Sequence, residues 1–68
     1  MNWDVIKGKW SQVKGDARSE WGHLTDNDWE EIKGDKDKLL GKLQESYGWT
    51  REEAERRAND WANRHYVA

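Results

Sequence analysis

The side chains that first suggest chemistry are two histidines, His23 and His65, and the acidic run Asp26-Asn27-Asp28-Trp29-Glu30-Glu31. Imidazole and carboxylate together are the ligands of a catalytic zinc. Such sites place their ligands at short, fixed spacings, and here the histidines stand far apart with no cysteine anywhere in the chain. The acidic run resembles a calcium loop but lacks the glycine at its sixth position and the glutamate at its twelfth. Ser11, Ser19 and Ser46 have no nucleophile motif around them. Gly8, Gly15 and Gly22 are seven residues apart, too far for one turn to cradle a phosphate. The sequence therefore predicts no catalytic residue, no metal ligand and no cofactor, and a protein that is not an enzyme. His23 reads as a loop residue and His65 as the end of a helix, both solvated.

A second pattern is the interleaving of Lys7, Lys9, Lys14 and Arg18 with Trp3, Trp10 and Trp21. Cations beside aromatic rings are the signature of single-stranded nucleic-acid binding by stacking. The same tryptophans also follow the helical period, which makes them a core stripe flanked by solvated lysines. The net charge of −2 gives generic phosphate binding little support. A core stripe is the expectation, and weak nucleic-acid binding is the alternative. No apolar run approaches the ~18 residues that span a bilayer. The opening residues MNWDVIKGK lack the apolar stretch of a secretory signal, so a cytoplasmic location is expected.

The elements that must position these groups are helices. Apolar residues at Trp3, Ile6, Trp10, Val13, Ala17, Trp21 and Leu24 advance by three or four, which is helix spacing. Gly8 and Gly15 fall on the opposite face. Either one helix runs through them or one of them separates two short helices. Gly22 follows the stripe and is predicted to cap its C-terminus. Thr25, with Asp28 three positions on, predicts a capped helix start near Asp26 that carries Trp29 and Ile32 inward. Gly34 and Asp35 interrupt it. Leu39, Leu40, Leu43 and Tyr47 then form a second stripe that ends at Gly48.

Thr50 and Glu53, preceded by Trp49, give a further helix start. The stripe Ala54, Ala58, Trp61, Ala62 and His65 follows, with Trp61 as its anchor. Opposite it lie Glu52–Arg56, Glu53–Arg57 and Asp60–Arg64, pairs worth about 0.2–0.5 kcal/mol each in a helix.

Sixty-eight residues without a disulfide make one marginal domain, spanning 1–68. Its mean hydropathy of −1.36 lies near the limit for order, but six tryptophans supply apolar area. Residues 3–22 and 29–48 repeat each other, with identities at Trp3/Trp29, Ile6/Ile32, Lys7/Lys33, Gly8/Gly34, Gly15/Gly41 and Gly22/Gly48. The concentration of identities on glycines and stripe residues argues for an internal duplication.

The blocks Gly8-Lys9-Trp10, Gln12-Val13-Lys14-Gly15, Trp21-Gly22-His23-Leu24-Thr25-Asp26, Gly34, Leu39-Leu40-Gly41-Lys42-Leu43-Gln44, Tyr47-Gly48 and Trp61 resemble the CsbD-like family of small bacterial proteins. The resemblance covers nearly the whole chain. It implies an all-α fold of four to five short helices, arranged as two helical hairpins packed roughly crosswise. It also implies induction in a general stress response, and it carries no catalytic residues. One departure is Trp29, where the family pattern implies a smaller apolar side chain.

Two modes of action fit these expectations. One is a folded interaction module, expected as a monomer that meets a protein partner not named by the sequence. The other is a hydrophilic protectant, loosely folded during water stress. No membrane association is expected.

Overall fold

The computed structural model describes residues 3–66, two short of the expected domain at each end. Five helices run in order: α1 (Trp3–Gly8), α2 (Trp10–Glu20), α3 (Asp26–Ile32), α4 (Lys36–Tyr47) and α5 (Arg51–Tyr66). No strand occurs among the described residues. The globule measures 30 × 24 × 18 Å.

The first stretch breaks at Lys9, where φ is −110° and ψ 24°. The Lys9 amide donates to both Val5 O and Ile6 O, so the break is a kink without a loop. Gly8 thus ends α1, whereas Gly15 lies inside an unbroken α2. The expectation for Gly22 is corrected. It does not adopt the left-handed conformation of a capping glycine. Trp21 already leaves the helix, at φ −122° and ψ 73°, with its amide still bonded to Ala17 O. That departure buries the Trp21 ring against Trp61, and burial decides where α2 stops.

α3 starts as expected. Thr25 Oγ1 accepts from the Asp28 amide, and the Asp28 carboxylate accepts from the Thr25 amide at 2.9 Å. The chain then turns through two left-handed residues, Lys33 (φ 46°) and Gly34 (φ 84°). Asp35 caps α4 by accepting from the Lys38 amide. Gly48, at φ 71°, closes α4 in the left-handed conformation. Thr50 accepts from the Glu53 amide and starts α5.

The repeated segments share a plan of short helix, break, longer helix, but their breaks differ. Gly8 is exposed and helical. Gly34 is buried and left-handed, with its Cα facing the backbone of Lys7. Gly34 therefore does not share the exposed position of its repeat partner Gly8. Its carbonyl accepts from the Trp3 indole at 2.7 Å, which ties the first break to the second.

The core unites all five helices. Ile6, Val13, Ala17, Trp21, Leu24, Trp29, Ile32, Leu39, Leu40 and Leu43 are buried under Ala54, Ala58, Trp61 and Ala62 of α5. Trp61 is fully buried, with ring centroids 5.1 Å from Trp21 and 6.4 Å from Trp3. Its alanine neighbours let α5 approach closely, as the sequence implies. Trp29 points inward despite its size and packs against Trp10. Trp10, Trp3, Tyr47 and Trp49 are only half-buried at the edge of this core. His65 is exposed, so it flanks the α5 stripe and is not part of it.

Candidate functional site

The acidic run from Asp26 is occupied by cross-helix ion pairs. Arg18 reaches Asp26 and Lys14 reaches Glu30, joining α2 to α3. Lys42 lies 3.3 Å from Asp28 and 2.6 Å from Glu31, joining α4 to α3. The hydrogen bond from the Thr25 amide, assisted by Lys42, holds the Asp28 carboxyl below its ordinary pKa. Hydrogen bonds to Glu31 and Asp28 hold the Lys42 ammonium above its own. Both shifts favour the charged forms already paired in the fold. Among the described residues, no group of three histidine, cysteine or carboxylate side chains is placed to hold a metal ion.

His23 belongs to a different arrangement. Its ring lies 4.4 Å from Tyr47, and Tyr47 stacks on Trp49 at 4.4 Å and 12°. The Arg57 guanidinium covers Trp49 at 4.5 Å. This ladder staples the α2–α3 loop, the end of α4 and the start of α5 together. Cation–π and stacking contacts are what put Tyr47 and Trp49 at the surface without leaving their faces bare.

The expected α5 ion pairs are only partly right. Glu53 pairs with Arg57, and Arg56 turns to Glu53 and Asp60 in place of Glu52. Hydrogen bonds from Arg57 and then Arg56 lower the Glu53 pKa. Arg64 crosses to Glu20 on α2 and bonds the Asp60 carbonyl. Exposed pairs gain so little that neighbouring helices decide the partner.

The cation–tryptophan pattern of the first stretch is dismantled. Trp21 is buried, and Lys14 and Arg18 are in ion pairs. Only Lys7 and Lys9 remain without a carboxylate, beside the half-buried Trp3 and Trp10. What the sequence did not single out is Lys36, whose ammonium sits 5.9 Å above the Trp3 ring. No local pattern could have found it, since Lys36 reaches Trp3 only because the Gly34 turn packs against the first break.

An open groove of about 710 Å³ lies between α3 and α4. Glu30, Glu31 and Glu45 oppose Lys33, Lys38 and Lys42 along it, with Gly41 between them. Most ligand sites are lined by apolar and aromatic residues with a few placed polar groups, and no apolar or aromatic side chain lines this groove.

The geometry is that of a folded scaffold with a charged skin, and comparison with known proteins fits it. Residues 4–56 match the family model described as CsbD-like. The chain belongs to the CsbD-like family. It is 50% identical over 64 residues to a UPF0337 protein of Pseudomonas aeruginosa, covering 94% of this chain and 98% of that one. It is 46% identical over 65 residues to a UPF0337 protein of Protochlamydia amoebophila, covering 96% and 98%. It is 45% identical over 64 residues to the UPF0337 protein YjbJ of Escherichia coli, covering 94% and 93%. This CsbD-like chain carries Trp10, Gly15, Trp21, Gly22, Leu24, Thr25, Gly34, Gly41, Tyr47 and Gly48 within the matched span. Trp61 lies beyond it, although it sits at the centre of the core.

No helix among the described residues is long and apolar enough to cross a membrane.

Proposed function

We propose that this CsbD-like protein is a non-enzymatic stress-response protein of the cytoplasm that acts as a small folded interaction module. The observation that carries this reading is the Trp61-centred core, closed by α5 over both repeated segments. A protectant that works by hydration alone needs no such core. The polar side chains that suggested catalysis have structural employment. The acids of the run serve as caps and ion-pair partners, and His23 lies in the surface ladder.

The protectant reading keeps one support, the 38% of charged residues in a chain of low hydropathy. Complementation separates the two. A bacterium deleted for its own family member is exposed to stress while carrying the native chain or Trp61→Ala. Removing a fully buried tryptophan costs about 3–5 kcal/mol, enough to unfold a domain this small. The module reading expects rescue by the native chain and none by Trp61→Ala at equal abundance. Equal rescue by both would transfer the function to the unfolded, hydrophilic chain.

A further inference from the structure

α5 is the one helix outside the repeated segments, which end at Gly48. It supplies Ala54, Ala58, Trp61 and Ala62 to the core, all four fully buried. Its Trp61 lies against Trp3 of α1 and Trp21 of α2. At the surface two cross-helix ion pairs set its register, Arg51 with Asp37 on α4 and Arg64 with Glu20 on α2. With α5 lifted away, the other four helices would present an apolar seat shaped for an alanine-faced helix bearing one tryptophan.

The link that holds α5 in this seat is short and tight. Only Gly48, Trp49 and Thr50 separate it from α4. Arg51 already reaches Asp37, ten residues back along α4 from Tyr47, which is about 15 Å of helix. The chain therefore doubles back along α4 with little slack. The reversal turns on Gly48, at φ 71°. Nothing lies within 4 Å of a Cβ added there, so the bend is set by the dihedral angle of Gly48 and not by a neighbour. No proline stands in the chain to stop a helix. With Gly48 in the right-handed region, α4 and α5 can run on as one helix over residues 36–66, about 46 Å long.

We propose that α5 exchanges between two copies of this chain, giving a dimer in which each α5 lies in the other copy's seat. A second copy is the occupant that the seat selects, because it carries the same alanine stripe, the same Trp61 and the same two arginines at the same spacing. Every core contact and both ion pairs of α5 re-form across the dimer. The exchange gives up only what the link holds: the left-handed Gly48, the Thr50 cap and the stack of Tyr47, Trp49 and Arg57. Short, tight links between packed elements favour such swaps. A side-by-side dimer has no comparable surface, since Val5 is the one large apolar side chain exposed among the described residues. The proposal rests on the docking of α5 and goes beyond the module reading, which stands unchanged if the chain stays monomeric.

The test is to refold the full chain from denaturant at about 1 mM, where association competes with folding, and to read its mass by light scattering after separation by size. The native chain is compared with Gly48→Ala and with a chain carrying a glycine–serine insert after Gly48. The native chain should yield a slowly dissociating dimer beside the monomer. Gly48→Ala disfavours the left-handed bend at both links and favours a continuous helix, so the dimer's dissociation constant should fall about tenfold or more. The insert relaxes the link and should return the chain to monomer. The dimer is then prepared from a mixture of isotope-labelled and unlabelled chains, and magnetisation transfer between the Trp21 and Trp61 rings is read from labelled to unlabelled chain. Exchange places that contact between copies. Monomer alone from the native chain would overturn the proposal. So would a dimer in which Trp21 and Trp61 touch only within one chain, or a dimer fraction that the insert leaves unchanged. Should Gly48→Ala fail to fold, the native chain and the insert decide the matter without it.

Discussion

Asp28 does two jobs with one carboxylate. It completes the Thr25 cap and pairs with Lys42, and the first of these contributes most to its lowered pKa. Glu53 is lowered in the same sense by Arg57 and Arg56. A carboxyl whose pKa is depressed by folding stabilises the fold above its unfolded value and loses that contribution as pH falls through the folded value. Lys42 is raised, so its contribution is complete below the ordinary lysine value and is lost as pH rises through the higher one. Stability should therefore be flat across neutral pH and decline at both ends. Asp28→Asn should flatten part of the acid limb, read as midpoint against pH between about 2 and 6, around the ordinary carboxylate range. An acid limb identical to that of the native chain would show that Asp28 carries none of it. The Thr25–Asp28 cap was legible because its four-residue pattern is local. Lys42 was not, because nothing in sequence indicates that α4 returns to the start of α3.

At the scale of the element, the two breaks make a matched test. Gly15 lies within α2, exposed, with nothing within 4 Å of an added Cβ. Gly34 lies at φ +84° against the Lys7 backbone. Gly15→Ala should stabilise by about 0.5–1 kcal/mol, the helix-propensity difference. Gly34→Ala should destabilise by about 1–2 kcal/mol from the left-handed backbone, and by more where Lys7 must yield. Denaturant midpoints of the two variants should move in opposite directions. A destabilised Gly15→Ala would mean that the chain turns there. The sequence left open whether the first copy breaks at all, and the aligned identity of Gly8 with Gly34 hid that one break is a kink and the other a tight turn. Position 33 shows why: a lysine follows the left-handed path there because Asp35 must cap α4 immediately afterwards. Gly22 misled for the opposite reason. A glycine after an apolar stripe looks like a cap, yet the pull of Trp21 into the core ends α2 a residue earlier.

Over the whole molecule, the helices and most of the buried stripe could be read from spacing, because Ile6, Val13, Ala17, Leu39 and Leu43 repeat every three or four residues. The partition of the tryptophans could not. Trp10 and Trp21 share that period, yet one is half-buried and the other wholly so, since only the placement of α5 decides which ring meets Trp61. The packing of Gly34 against Lys7 was equally hidden, being a property of two turns brought together. The partition of the tryptophans depends on α5 docking over the repeated segments, and that docking is the claim on which the module reading stands. Heating the full chain while following tryptophan emission and helical circular dichroism together tests it most directly. A docked core gives one sharp transition in which both signals change at the same temperature, as two-state unfolding requires. Helix signal lost gradually, with the tryptophans already in water before it goes, would contradict the account.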